Sequence, residues 1–299
     1  MSNDIHSQIE AMLEKAKNMT EKEKIFKYNG ILYPILLTPE ENLKACESFE
    51  ARPDDVMLVS YPKCGFNWTV GVLLKIINDG KEEPKEGPLA LLEFLNPEKQ
   101  KSLSQAPSPR LLGTHMHLDN ISPSFAAKKT KMLVVFRNPK DTLVSYYHFC
   151  NSNPVLPTPE SWDKFFEEFM QGDVCWGSYF DYALAWEKHM DDPNVMIVTF
   201  EEMKKDLTKA IRQISKFFSF TLSEEQIQTI SKESMFGAMK DNSKEKYGKM
   251  TNIIFRKGEV GDWKNHFSEA QSQEMDAAFE KYLAGTKLGA QLQYDVYCK

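Results

Sequence analysis

The sequence has no hydrophobic run long enough to cross a bilayer. Its longest apolar stretch, Ile31–Leu37, is broken by Pro34 and falls far short of the roughly 20 residues a spanning helix needs, so no membrane partner is expected. It has no surplus of positive charge either: 37 Lys and Arg stand against 43 Asp and Glu, a formal net charge of -6. A general nucleic-acid binder needs a basic surface, so nucleic acid is not an expected partner. Any anionic ligand must meet a local cationic pocket. The five cysteines (Cys46, Cys64, Cys150, Cys175, Cys298) are odd in number and show no CxxC spacing, which points away from zinc sites and disulfide scaffolds and toward a reducing compartment. HExxH and clustered His and Cys with ligand spacing are missing as well, so no metal is expected. The opening segment, MSNDIHSQIEAMLEKAKNM, mixes acids and bases and lacks the apolar core of a signal peptide. The expectation is a soluble cytoplasmic protein.

What is present is a chain of 299 residues, 41% hydrophobic and 27% charged, enough for a large buried core. No internal repeat or low-complexity tract divides it, and the proline-rich spots at Pro107–Pro109 and Asn153–Pro159 read as loops. One domain over 1–299 is expected, with 1–27 as an N-terminal helical extension. Short apolar runs recur at Val56–Ser60, Arg110–Thr114, Met132–Phe136 and Val195–Phe200. Between and after them lie helix-period stretches at Trp68–Asn78, Lys140–Phe149, Trp162–Met170, Tyr179–His189, Leu207–Phe218 and Ser268–Leu283. Near-continuous apolar strands alternating with helices predict an α/β fold with a mainly parallel sheet covered on both faces. Ile211, Ile214, Phe217 and Phe218 follow the spacing of a buried helical stripe. The charged segment Gly237–Lys264 breaks the pattern, and a stretch so long and irregular is either functional or a solvated excursion.

The segment from Val59 to Trp68, Val-Ser-Tyr-Pro-Lys-Cys-Gly-Phe-Asn-Trp, follows a strand and leads into a helix. A turn there exposes the free N–H groups of the helix start, which together with the helix dipole favour a phosphate. Gly65 lets backbone approach the ligand, Lys63 brings a full charge, and Trp68 offers a face for a nucleobase. The order differs from a Walker A loop because the lysine precedes the glycine. An ordinary strand-to-helix turn would fit the same residues. A second junction, Phe136 to Ser145, repeats the logic: Asn138 and Pro139 read as N-cap and N1, Asp141 completes the cap, and Arg137 sits ahead of the helix start. A third basic cluster, Arg256 and Lys257 before Gly258, could close over an anion. His115 and His117 follow a probable strand end, where ligands of open α/β sheets bind and where a histidine can act as a base. Each of these features also has a purely structural reading.

Taken in order, YPKCGFNW, GTH, FRNPKDTLVSYYHF, TFEEM, SMFGAM and FRKGEVGDWK resemble the cytosolic sulfotransferase family, most of all sulfotransferase family 6B. The resemblance runs from about Tyr28 to the C-terminal segment. It implies a single α/β domain whose central parallel sheet has five strands flanked by helices on both faces, with a P-loop-like phosphosulfate-binding loop. It implies 3'-phosphoadenosine 5'-phosphosulfate (PAPS) as sulfuryl donor, with no metal. Matched residue by residue, Lys63, Cys64, Gly65, Phe66, Asn67 and Trp68 would cradle the 5'-phosphosulfate, with Trp68 against adenine. Arg137, Ser145, Arg256, Lys257 and Gly258 would hold the 3'-phosphate. The segment Ser234 to Met239, with Phe236 as its aromatic, would meet adenine and ribose, and Phe200 stands near the nucleotide where a tyrosine is usual. His115 takes the place of the catalytic base, and Lys63 would stabilise the leaving oxygen. His148 and Phe149 resemble positions that line the pocket for a small acceptor with a hydroxyl or amine, aromatic or hydrophobic in character.

The departures from the family pattern carry expectations of their own. Most relatives read Ser-Gly-Thr-Thr where this chain has Cys64, Gly65, Phe66 and Asn67, so a hydroxyl is lost at Phe66. Cys64 becomes a thiol at a cationic helix start, where a lowered pKa and oxidative sensitivity are expected. Gly113 stands where many members carry a lysine. The family's short dimerisation pattern survives only as Lys264, Ser268, Glu269 and Gln273, which weakens the case for a homodimer. Two other readings of the same anion sites are a nucleotide-binding protein with little catalysis and a nucleotide-dependent phosphotransferase, the latter disfavoured by the lysine order and the lack of a magnesium motif.

Overall fold

The computed structural model describes residues 2–79, 91–240 and 251–299. Four of its strands form the central parallel sheet: β3 (Val56–Ser60), β4 (Leu111–Thr114), β5 (Met132–Phe136) and β6 (Val195–Thr199), in the order β4-β3-β5-β6. A separate antiparallel hairpin, β1 (Ile25–Tyr28) and β2 (Ile31–Pro34), turns through Asn29 and Gly30 at φ 46° and 82°. An Asn-Gly pair suits such a turn because both central residues need positive φ.

Alternation along the strands divides the core. Val56 and Leu58 of β3, Leu133 and Val135 of β5, and Val198 of β6 join one cluster with Ile211, Ile214, Ile227 and Ile230. Met57 and Val59 of β3 and Met132, Val134 and Phe136 of β5 join the other, with Tyr179, Tyr182 and Trp186. Both faces are apolar because helices cover both, as the unbroken apolar strands predict. Each fully buried aliphatic side chain contributes about 1.5–3 kcal/mol of transfer free energy.

The expected five strands number four among the described residues. Beyond β4 the chain pairs at a single bridge, Leu91 with Gly113, before the 3-10 turn Leu92–Phe94. The N-terminal helix Ser2–Lys17 ends well before residue 27, and 25–27 belong to β1. Arg110 lies just before β4: its carbonyl accepts from Val56 N at 2.9 Å, and its guanidinium pairs with buried Asp55 at 2.5 and 2.7 Å. Phe200 falls outside β6 because Thr199 is the N-cap of the helix Phe200–Lys205, in a capping box with Glu202. Ile211 and Ile214 are buried as expected, whereas Phe217 and Phe218 are half-buried. Of the irregular segment, 241–250 lie outside the described residues; Thr251–Ile254 is a short helix, and Gly258 and Gly261 take φ of 66° and 91°.

Candidate active site

All four parallel strands release the chain at the same edge of the sheet, the edge where open α/β sheets bind ligands. After β3 come Pro62 to Trp68, after β4 His115, after β5 Arg137, and after β6 Phe200. All of these but Cys64 line one cavity of about 390 Å³ together with Ser145, Phe149, Phe236, Arg256, Lys257 and Gly258. Fourteen of the residues singled out from sequence thus meet at one place: Lys63, Gly65, Phe66, Asn67, Trp68, His115, Arg137, Ser145, Phe149, Phe200, Phe236, Arg256, Lys257 and Gly258.

The phosphate-type loop forms as the chain leaves β3. Lys63 and Gly65 take φ of 69° and 106°, and Gly65 is the N-cap of the helix Phe66–Ile77 without a side-chain cap. The first N–H groups of that helix are therefore left for a ligand. A Cβ at Gly65 would lie 2.9 Å from the Phe200 ring, so the turn needs glycine for both space and φ. Lys63 Nζ sits 4.0 Å from the centroid of the Phe149 ring. Burial, with Arg137 nearby, pulls its ammonium down to about 7.

Opposite this loop, Asn138 caps the helix Pro139–Ser152 by accepting from Asp141 N at 2.8 Å, with Pro139 in the first turn. Asp141 in turn accepts the N–H groups of Gly261 and Trp263 at 2.7 and 3.0 Å, which ties the Arg256–Gly258 segment to the helix start. Arg137 donates to the Glu259 carbonyl at 2.7 Å and stacks 4.6 Å from the Phe200 centroid. Asp262 accepts from Arg256 at 2.5 Å and Lys257 at 2.7 Å. Burial works to raise the Asp262 carboxyl, but these donors hold it well below the usual carboxylate range. Arg137 Nε, Arg256 Nε and Ser234 Oγ are buried with no protein partner among the described residues. Buried donors without acceptors are costly; of these residues Arg137 and Arg256 line the cavity, and their two donors fit a ligand rich in acceptors.

His115 follows the end of β4 and lines the cavity. Its Nδ1 lies 2.7 Å from the Ser60 carbonyl; a carbonyl only accepts, so Nδ1 carries the proton and Nε2 keeps its lone pair. Burial, with Lys63 adding to it against the Ser60 bond, pushes the imidazole down to about 4. Beneath it, buried Glu93 accepts from His115 N and Thr114 Oγ1, both at 2.8 Å, and burial lifts its carboxyl to about 7. Nothing in the sequence around Glu93 marks it for this position beside His115. Leu37, Leu91, Phe94 and Trp176 also line the cavity and make its walls apolar; Trp176 takes a φ of 65°.

Cys64, Ser234, Met239 and His148 do not line the cavity. Cys64 turns into the core, its thiol 3.7 Å from Thr142 Oγ1, and burial raises it to about 12. The expected reactive thiol is thereby overturned: the helix start faces the cavity, while the side chain at that position faces away. Ser234 instead accepts the Trp68 indole N–H through its carbonyl at 2.6 Å, and Met239 packs over Gly71. His148 pairs with His266 at 3.4 Å, and His117 caps a 3-10 turn by accepting from Asp119 N. Ser268 and Gln271 form a capping box on the helix Glu269–Tyr282, and Gln273 donates to Glu269 at 3.2 Å. Among the described residues no group of three or more His, Cys, Asp or Glu could hold a metal, and no helix is long and apolar enough to cross a membrane.

An α/β sheet edge that gathers four cations, a helix start and a buried histidine defines a group-transfer site for an anionic donor. The sulfotransferase domain family matches residues 53–287, and the chain belongs to that family of enzymes. It is 57% identical to sulfotransferase 6B1 of Danio rerio, over 98% of this chain and 100% of that protein. It is 47% identical to sulfotransferase 6B1 of Homo sapiens, over 97% and 96% respectively. Among solved structures it resembles mouse sulfotransferase SULT7A1 complexed with PAP, with TM-score 0.80 and 35% identity, covering 90% of this chain and 98% of that one.

Proposed function

We propose that this sulfotransferase moves a sulfuryl group from PAPS to the hydroxyl, or amine, of a small aromatic or hydrophobic acceptor, with His115 as general base. The observation that carries this reading is the convergence of Lys63, Arg137, Arg256 and Lys257 with His115 on one cavity. The mouse relative holds PAP, the donor's desulfated form, and the unpartnered donors Arg137 Nε and Arg256 Nε, on residues that line the cavity, suit a nucleotide carrying phosphates.

The P-loop-like turn from Lys63 to Trp68 would hold the 5'-phosphosulfate through the backbone N–H groups of the helix start, with Asn67 adding an amide. Cys64 would contribute its backbone alone. Arg137, Ser145, Arg256, Lys257 and Gly258 would hold the 3'-phosphate. Trp68, Phe200 and Phe236 would face the adenosine, with Ser234 beside them and Met239 supporting the helix from behind. When bound, PAPS supplies the sulfuryl group and a phosphate leaving group. His115 Nε2 accepts the proton the acceptor loses, and Lys63 Nζ donates to the bridging oxygen where negative charge develops. Phe149 lines the acceptor end; His148 lies behind it, bound to His266. The five free buried thiols suit a cytoplasmic setting, and the whole chain is read as one sulfotransferase domain.

The test is a thermal-shift titration with PAP against adenosine 5'-phosphate, in the parent and in Arg137→Ala. A ligand that binds only the folded state raises its stability with concentration. Selective stabilisation by PAP that is lost in the variant is expected. Equal shifts with both nucleotides, or none, would refute the donor assignment.

A further inference from the structure

We infer that Phe66 is a positioning residue for the His115 base: its ring, on the first residue of the phosphosulfate-loop helix, packs against the imidazole and fixes it with Nε2 toward the acceptor. The inference rests on the proposed role of His115. The two ring centroids are 4.8 Å apart with planes at 59°, and Phe66 is only 5% exposed while lining the cavity. The Trp176 ring stands edge-on to the same imidazole at 5.7 Å and 80°. With Nδ1 held by the Ser60 carbonyl, these contacts leave the ring little freedom to turn.

Phe66 opens the helix Phe66–Ile77, so its backbone N–H is one of the free groups of the helix start. Phe66 thus keeps the backbone N–H for the donor and commits the side chain to the base, joining the donor loop to the proton acceptor through one residue. The charged groups facing His115 are Lys63, from the loop after β3, which disfavours the imidazolium, and Glu93, which accepts the His115 backbone N–H. Removing the Phe66 ring would admit water to that face, make the imidazolium less costly and let the ring swing.

The experiment compares Phe66→Ala and Phe66→Leu with the parent and with His115→Gln. Three quantities are read: PAP affinity by calorimetry, the His115 ring titration by NMR in the PAP complex, and the pH profile of sulfuryl transfer from radiolabelled PAPS to 2-naphthol. A base works unprotonated, so activity is lost as pH falls through its pKa. In Phe66→Ala the His115 titration and the acidic limb of kcat/KM should both move upward by about one pH unit. Turnover at pH 7.5 should fall on the order of tenfold, as for a misaligned catalytic group, and PAP affinity should stay within about twofold. Phe66→Leu, apolar but not aromatic, should shift less. An unchanged His115 titration in Phe66→Ala would overturn the inference, as would a loss of turnover explained by lost PAP affinity. Parental turnover in His115→Gln would overturn the base reading instead, and the NMR titration would still decide whether Phe66 holds the ring.

Discussion

Lys63 offers a prediction that reads the site without needing the acceptor. Its ammonium sits under burial and near Arg137, which pull it down to about 7. At pH 8 about one Lys63 in ten is then protonated in the free protein. A phosphate dianion placed beside Nζ reverses that preference, because an opposite charge at close range favours the charged form. PAP binding above pH 7 should therefore take up close to one proton. The sign follows from linkage: the complex binds the extra proton, so affinity is full below the free-protein pKa and falls about tenfold per pH unit as pH rises from about 7.5 to 9. The phosphates themselves are ionised throughout that window, since their second pKa is about 6. Calorimetry in two buffers of different ionisation enthalpy measures the uptake directly, and Lys63→Met should abolish it. PH-independent affinity with no proton uptake in the parent would refute the reasoning.

Glu93→Gln leaves an amide where a carboxyl accepts two hydrogen bonds and should cost about 1–3 kcal/mol in chemical denaturation at pH 7. Because the Glu93 carboxyl is raised to about 7, its stabilising contribution is present below its unfolded pKa and fades as pH rises toward 7, so the parent should lose stability over that range more steeply than the variant. Cys64, buried and raised to about 12, should resist thiol reagents in the native protein on a timescale of minutes; rapid labelling by mass spectrometry would contradict this. Gly65→Ala, at φ 106° and 2.9 Å from Phe200, should strain the loop by about 1–3 kcal/mol and weaken PAP binding measurably, whereas parental affinity would show that the turn adapts.

The central strands were legible because β3 and β5 are unbroken apolar runs that reappear as Val56–Ser60 and Met132–Phe136. Their neighbours were blurred at the ends, where Arg110 lies just before β4 and Thr199 caps the next helix. A fifth strand rests on the family's pattern, and next to β4 one bridge at Leu91 takes its place among the described residues. In the site, His115 and Arg137 could be read because each directly follows a strand end, and Lys63 because it lies in the turn between β3 and the next helix. His115 and His117 looked alike in sequence, yet two residues suffice to send one ring into the cavity and the other into a turn. Cys64 was misjudged for the same reason: proximity in sequence to a helix start says nothing about which way the side chain points. Glu93 and Trp176 reach His115 from distant segments without periodic or motif signal, so packing alone reveals them.

The most direct test of the account is single-turnover sulfuryl transfer from radiolabelled PAPS across a panel of small phenols, in the parent and in His115→Ala, with PAP affinity measured in both. The parent should transfer to at least one phenol. His115→Ala should lose on the order of a hundredfold or more in rate while its PAP affinity stays within about twofold. Near-parental transfer in His115→Ala, or no transfer by the parent despite tight PAP binding, would contradict the account.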